Sequence, residues 1–157
     1  MLLYHFTAHE NLPKIMRSGL GRGTVHVSPT HQINAVWLTS RGSSDGHGLE
    51  AGGAFMTDDQ RQEGYRWSGV LPPPGARFPK DGPVRITVEL DPRNPNLHEW
   101  LPWARRCISP EWMAQLHPIA GGNMQKAKTW RLFFGVIPAA AFLAVDVQPE
   151  RRQLRRA

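Results

Sequence analysis

Apolar and polar positions are patterned most clearly in the first forty residues. Residues 2–7 (LLYHFT) and 35–40 (AVWLTS) are short apolar stretches of the kind that form strands. Between them, apolar residues recur at helical spacing after Asn11, which can cap a helix whose first turn tolerates Pro13. Gly19 then supplies a stop for that helix. The pattern predicts two strands linked by a glycine-closed helix.

The remaining apolar segments are short, and each is bounded by turn residues or proline. Strict alternation over residues 84–90 is typical of a half-buried strand. Ser109 and Pro110 form a well-defined helix start, as a cap and a first helical residue. Beyond residue 83 the chain therefore predicts strands over residues 84–90, 129–137 and 141–147 and helices over residues 98–106 and 109–116.

Residues 41–83 are rich in Gly, Pro, Ser and Asp and lack clear periodicity. A segment of this length without a repeat is typical of a functional loop or lid, and residues 58–67 predict a short helix inside it. The chain has 157 residues, which favours a single domain. We expect one mixed α+β domain over residues 1–150. The basic tail, residues 151–157, is expected to be a frayed terminus, with a phosphate-binding arm as the alternative.

Charge and composition narrow the class of protein. The formal net charge is +6, which favours anionic partners such as nucleic acid or phosphorylated ligands. The single cysteine, Cys107, rules out an internal disulfide, and without a motif around it we expect a small hydrophobe rather than a nucleophile. No apolar run reaches the roughly 20 residues of a membrane span, and no signal-peptide pattern is present. These features predict a soluble, cytoplasmic protein.

The histidine spacings do not form a metal signature. His5 and His9 are four residues apart and His26 and His31 are five apart, with no acidic or cysteine ligand at a fixed spacing after them. We therefore predict no metal site.

The run of alternating glycines at residues 19–23 (GLGRG) looks like a phosphate loop. It follows a helix, however, whereas the dinucleotide fingerprint requires a glycine turn between a strand and a helix. We interpret the run as a helix stop and a flexible connection, with Arg22 as a candidate contact for a ligand phosphate.

The candidate site lies on the two N-terminal strands. His5 and Thr7 are two residues apart, so their side chains face the same way on a strand. Trp37 and Thr39 repeat that relation on the second strand. An aromatic beside a polar group on each strand predicts that a flat, hydrogen-bonding ligand is held between them.

Four segments together resemble the ADP-ribosyltransferase fold: residues 4–7 (YHFT), 19–20 (GL), 36–39 (VWLT) and 130–138 (WRLFFGVIP). The sequence is most similar to small bacterial and phage members, the DarT-like DNA modifiers and the NAD-dependent RNA 2′-phosphotransferases. The resemblance implies a mixed or antiparallel β core with short flanking helices. It also implies that NAD is the substrate.

The resemblance assigns roles to residues of both strands. His5 matches the histidine that hydrogen-bonds the ribose next to nicotinamide, and Trp37 matches the aromatic that stacks on the nicotinamide ring. The resemblance also implies that the backbone near Phe6 and Thr7 holds the nicotinamide carboxamide. Thr39 and Ser40 match small polar residues that lie beside the ligand.

The resemblance implies transfer of ADP-ribose to a macromolecule, either nucleic acid or protein. Its third motif places a glutamate just before an aromatic, and Thr129 stands there in this chain. A threonine cannot carry the negative charge that stabilises an oxocarbenium-like cation. Several acids elsewhere in the chain remain alternatives: Glu50, Asp58, Asp59, Glu63 and Asp146.

Two other functions stay open. A phosphotransferase acting on 2′-phosphorylated RNA would depend on histidine and arginines more than on a glutamate. A non-catalytic module that binds NAD, ADP-ribose or a partner protein would need no catalytic acid. Candidate phosphate contacts for these functions are Arg17, Arg22, Arg41 and Arg131.

Overall fold

The structure is a computed structural model, and it describes residues 1–43, 55–59, 61–62, 65, 71–77, 84–119 and 124–147. These residues form two antiparallel sheets flanked by short helices, which confirms the α+β class. Among these residues, no helix has both the length and the apolar character needed to cross a membrane.

The strands are named in chain order: β1 Leu2–Thr7, β2 Thr24–Ser28, β3 His31–Asn34, β4 Val36–Thr39, β5 Val84–Glu89, β6 Leu97–Glu99, β7 Trp130–Phe133 and β8 Phe142–Val147. The helices are α1 Leu12–Ser18, α2 Trp100–Cys107, α3 Pro110–Ile119 and α4 Met124–Ala127. Single 3-10 turns span His9–Asn11 and Ala139–Ala141.

The larger sheet has six strands in the order β6-β7-β4-β1-β5-β8, and every neighbouring pair is antiparallel. β1 pairs with β5 along all six of its residues, but its register with β4 is the single pair Tyr4 and Thr39. The sheet therefore splits between β1 and β4 into two halves of three strands. β2 and β3 form a separate hairpin.

Alternation along β1 divides its side chains between the two faces of the sheet. Leu3, His5 and Thr7 lie on the face covered by α1, which we call the α1 face. Leu12 and Ile15 of α1 pack there against a buried cluster. The buried members of that cluster are Leu3, Leu20, Val36, Leu38, Val84, Ile86, Val88, Phe133 and Ile137.

The opposite face is covered by α2 and by tryptophans, and we call it the tryptophan face. Three partly buried tryptophans pack against its buried cluster: Trp37, Trp112 and Trp130. That cluster consists of Val25, Ala35, Trp100, Leu101, Trp103, Ala104, Ile108, Ala127 and Leu132. Both faces of the sheet are thus packed, so β4 and β7 are buried from two sides.

Several local predictions are confirmed. The strands predicted over residues 84–90 and 141–147 correspond to β5 and β8. The Trp112 N–H donates to Ser109 Oγ over 3.2 Å, so Ser109 caps α3 as predicted. α1 ends before Gly19, whose φ of +77° is the left-handed conformation that favours glycine.

Other local predictions are wrong. Asn11 makes no side-chain cap, because a 3-10 turn precedes α1 and its amide donates instead to Thr7. The strand predicted over residues 129–137 ends at Phe133, and Gly135 turns the chain with a φ of +138°. Cys107, expected to act as a small hydrophobe, is exposed at the end of α2. The hairpin of β2 and β3 was not predicted.

Two predicted features fall wholly or mostly outside the described residues. The basic tail lies outside them, as does most of the segment from 44 to 83. Of the helix predicted over residues 58–67, the described positions 58, 59, 61, 62 and 65 are helical.

Gly19 provides a test of the turn that closes α1. A Cβ at this position would lie 2.5 Å from the Ile137 carbonyl oxygen, and the backbone combines a φ of +77° with a ψ of 178°. We expect Gly19→Ala to lower the free energy of unfolding by more than about 2 kcal/mol, measured by urea denaturation. Gly75→Ala is the matched control. Gly75 has a similar φ of +78°, but an added Cβ there would meet no atom within 4 Å outside its chain neighbours. Equal losses for the two variants would contradict this account.

Candidate functional site

A cleft of about 250 Å³ opens on the α1 face beside the split in the sheet. It lies between the second half of β1, the inner side of α1 and the segment that follows α1. Pockets for drug-sized ligands usually measure about 300–1,000 Å³, so this cleft can hold part of a dinucleotide rather than all of it. Its polar lining consists of His5, Thr7, Asn11, Lys14, Ser18 and Arg22.

His5 connects β1 to β4 across the split. Its Nδ1 lies 2.9 Å from the Trp37 carbonyl oxygen. A carbonyl can only accept, so Nδ1 carries the hydrogen in this contact. Burial lowers the pKa of the His5 imidazole below its ordinary 6.5, against the smaller, opposing effect of the hydrogen bond to Trp37. The ring is therefore neutral at pH 7, and Nε2 is left as a hydrogen-bond acceptor for a ligand in the cleft.

Thr7 and Asn11 form a second polar element of the lining. Asn11 Nδ2 donates to Thr7 Oγ1 over 3.1 Å, which joins the end of β1 to the start of α1. Thr7 is buried, and its hydroxyl retains its own O–H for donation. The predicted placement of His5 and Thr7 on one face is confirmed, since both line the cleft.

The charged groups that line the cleft are cations. Lys14 on α1 and Arg22 in the following segment border it, and no carboxylate is among its described lining residues. The cleft therefore favours an anionic ligand. Arg22, predicted as a candidate phosphate contact, borders the cleft, whereas Arg17 is not among the lining residues.

Lys14 was missed in the sequence. The cleft is lined here by Asn11, which directly precedes α1, and by Lys14, Ile15 and Ser18 of α1, so that lining positions recur three and four residues apart. This is the spacing of one helix face, so a search for polar residues on the face that carries Ile15 would have found Lys14.

Trp37 does not point into the cleft. Its ring centroid lies 4.8 Å from that of Trp100 and 5.7 Å from that of Trp130, and its indole N–H donates to the Thr24 carbonyl over 3.0 Å. The register of Tyr4 with Thr39 puts Trp37 on the tryptophan face, opposite to His5. The expected clasp of one ligand between the His5 and Trp37 rings is therefore corrected: the Trp37 main chain, not its ring, meets His5.

The other predicted contacts on β4 are also away from the cleft. Thr39 Oγ1 lies 2.9 Å from Thr129 Oγ1, and the Ser40 N–H donates to the Thr129 carbonyl over 3.0 Å. These contacts join the end of β4 to the start of β7. Phe6 points to the face opposite His5, by alternation along β1. Thr39, Ser40, Thr129 and Phe6 are not among the cleft-lining residues.

The alternative acids do not reach the cleft where the structure describes them. Asp146 Oδ2 accepts from Arg85 Nη2 over 3.0 Å on β5 and β8, and Asp58 pairs with Arg61 at 2.7 Å. Asp59 is exposed, and Glu50 and Glu63 lie outside the described residues. Within the described part of the chain, no group of three or more metal-ligating side chains comes together.

The other two candidate arginines are placed elsewhere. Arg131 pairs with Glu99 at 3.2 Å at the far side of the sheet, and Arg41 is exposed just after β4. Neither lines the cleft. Of the four arginines considered for phosphate, only Arg22 borders the cavity.

A second side chain spans the split, on the opposite face. Arg85 Nη1 donates to the Gly42 carbonyl over 2.9 Å, and its guanidinium carbon lies 5.6 Å from the centroid of the Tyr4 ring. Arg85 belongs to the half that contains β1, and Gly42 follows β4. Among the described residues, each face of the sheet thus has a side-chain hydrogen bond across the split, from His5 on one face and from Arg85 on the other.

Comparisons of the chain with protein-family models, with curated proteins and with solved structures found no match. The site is therefore interpreted from its own geometry.

The lowered pKa of His5 predicts how stability depends on pH. The unfolded chain binds a proton near pH 6.5, whereas the folded chain resists binding it, so stability is lost as pH falls below about 6.5. Between about pH 6.5 and about pH 5, we expect the free energy of unfolding of wild type to fall more steeply than that of His5→Asn. The difference in slope should reach up to about 1.4 kcal/mol per pH unit. Asn keeps a donor near Nδ1 but does not titrate. Denaturant unfolding at a series of pH values measures the difference.

His31→Asn is the matched control for this experiment, because His31 is exposed on β3, away from the cleft. It should follow the wild-type pH dependence. A wild type and a His5→Asn variant with parallel pH profiles would contradict the burial of a neutral His5.

Proposed function

We propose that the cleft binds the ribose and phosphate of NAD, and that the protein is an NAD-dependent, ADP-ribosyltransferase-like enzyme with a nucleic acid or protein acceptor. The observation that carries the proposal is the geometry of His5. Its Nδ1 is engaged by the Trp37 carbonyl at the split, so its Nε2 is available in a cleft lined by Lys14 and Arg22.

The placement of the resembling segments supports the proposal. Residues 4–7, 36–39 and 130–133 lie on β1, β4 and β7, which are neighbours in the sheet. Adjacent strands are about 4.8 Å apart, so the three segments lie within about 10 Å across the sheet. The fourth segment borders the cleft, where Leu20 pairs with Ile137 through two backbone hydrogen bonds of 2.8 Å.

The lining residues suit the ribose-phosphate part of the substrate. A ribose hydroxyl donates to His5 Nε2, and the ligand phosphates interact with Lys14 and Arg22. In the transfer, the bond between the ribose anomeric carbon and the nicotinamide nitrogen breaks, and its electron pair leaves with neutral nicotinamide. The acceptor nucleophile then bonds to the anomeric carbon and releases its proton to solvent.

A second candidate is phosphoryl transfer from a 2′-phosphorylated RNA to NAD. It is favoured by the cationic cleft and by the lack of a carboxylate among the described lining residues. The hydroxyl of Thr129 is also bonded to Thr39 instead of facing the cleft. Binding of NAD or ADP-ribose without turnover is the remaining alternative. Incubation with labelled NAD and DNA, RNA, 2′-phosphorylated RNA and protein separates the three. The first candidate transfers label to an acceptor without a 2′-phosphate, the second reacts only with 2′-phosphorylated RNA, and binding alone releases no nicotinamide.

His5 is the residue whose loss should matter most. We expect His5→Ala to weaken NAD binding by roughly tenfold or more, because the ribose loses its acceptor. Nicotinamide release should become undetectable. Calorimetry with NAD and chromatography of released nicotinamide measure the two effects. His31→Ala is the control and should match wild type. Undiminished turnover in folded His5→Ala would refute the assignment.

The cations of the cleft can be tested against a neighbour of the same charge. Lys14→Ala and Arg22→Ala should each weaken ADP-ribose binding by roughly fivefold to twentyfold, because each removes a charge-assisted contact to a phosphate. Arg17→Ala removes a cation from the same helix at a position outside the cleft, and should stay within about twofold of wild type. The measurement is calorimetry at two salt concentrations. If Arg17→Ala weakens ADP-ribose binding as much as the other two variants do, the ligand responds to the overall positive charge, and the cleft is not the phosphate site.

A further inference from the structure

The two edges of the six-stranded sheet differ. β6, at one edge, has three residues and runs directly into α2. β8, at the other edge, has six residues and is about 20 Å long. On its outer side β8 has no ladder partner among the described residues. An edge strand of this length is a template for pairing with another chain.

β8 lacks the side chains that usually protect an edge. It contains neither proline nor lysine, and its exposed side chains include Leu143 at 58% and Val147 at 56%. A register shift against β5 leaves Leu143 without an opposite residue, which accounts for its exposure. The one charged residue of the strand, Asp146, is already paired with Arg85 of the same chain at 3.0 Å. The edge is therefore apolar and close to neutral.

We propose that β8 pairs with β8 of a second copy of this chain. The two strands run antiparallel about a two-fold axis at Val145, so that the sheet continues through both copies. In this register Leu143 lies opposite the partner's Val147, and Val147 lies opposite the partner's Leu143. Both exposed apolar side chains are then covered, and the same surface serves both copies, as a two-fold interface requires.

The charge of Asp146 and the contacts of the two exposed apolar side chains favour this register over those with the axis one residue earlier or later. With the axis at Val145, Asp146 lies opposite the partner's Ala144, so the two carboxylates do not face each other. An axis at Asp146 would place the two carboxylates directly opposite each other, which is unfavourable. An axis at Ala144 would place Val147 opposite the partner's Ala141, which lies outside β8. The register centred on Val145 alone among the three covers both apolar positions without opposing charges.

The size of the contact sets its strength. Two strands about 20 Å long form a small interface, of the class that gives weak and concentration-dependent association. β5 separates β8 from β1, so the pairing leaves the cleft accessible in both copies. The inference does not depend on the proposed function.

Sedimentation velocity over a micromolar concentration series tests the pairing. We expect wild type to shift from monomer to dimer as the concentration rises. Leu143→Lys combined with Val147→Lys should raise the dissociation constant by roughly tenfold or more, because it places lysines on the edge. Val136→Lys is the control, because Val136 is also 58% exposed but lies off β8. A wild type that stays monomeric throughout, or a dimer that survives the double substitution, would overturn the proposal.

Disulfide trapping tests the register without relying on a loss of association. In a Cys107→Ser background, Leu143→Cys is mixed with Val147→Cys under mild oxidation. Opposite residues in an antiparallel pair have Cβ atoms about 4.5–5.5 Å apart, close to what a disulfide needs. Disulfides should form faster between the two variants than within either one. Equal or faster formation between identical variants would overturn the register.

Discussion

The hydrogen bond from His5 Nδ1 to the Trp37 carbonyl is the contact on which the site depends. The ladder between β1 and β4 consists of one registered pair, and the two strands are otherwise held together by apolar packing on the α1 face and by side-chain hydrogen bonds. His5 supplies the link on the α1 face and Arg85 supplies it on the other face. The same bond orients the imidazole and fixes which nitrogen carries the hydrogen. The link across the split and the proposed ligand contact therefore use the two ring nitrogens of one side chain.

That dual role accounts for the electrostatic character of the cleft. A neutral histidine with a free acceptor is suited to a hydroxyl, and Lys14 and Arg22 are suited to phosphate. Together they describe a ribose phosphate. A developing cation needs an anionic group nearby, and the described lining does not supply one.

Much of the local structure follows from the sequence, because it depends on short-range pattern. Alternation was enough to predict β5, a short apolar run after Pro138 was enough to predict β8, and Gly19 and Ser109 were enough to predict a helix end and a helix start. The position of the Trp37 ring was not predictable, because it depends on the register between two strands separated by thirty residues of chain. The Thr7–Asn11 contact is local but was also not predicted, since a side-chain bond across a 3-10 turn replaced an ordinary cap.

The most direct test of the central claim is nitrogen NMR of the histidine side chains during titration with NAD. The account predicts that at about pH 7 His5 is the neutral tautomer with its hydrogen on Nδ1, and that NAD shifts the Nε2 resonance while Nδ1 remains protonated. A hydrogen on Nε2, an imidazolium, or an Nε2 resonance that NAD leaves unchanged would contradict it.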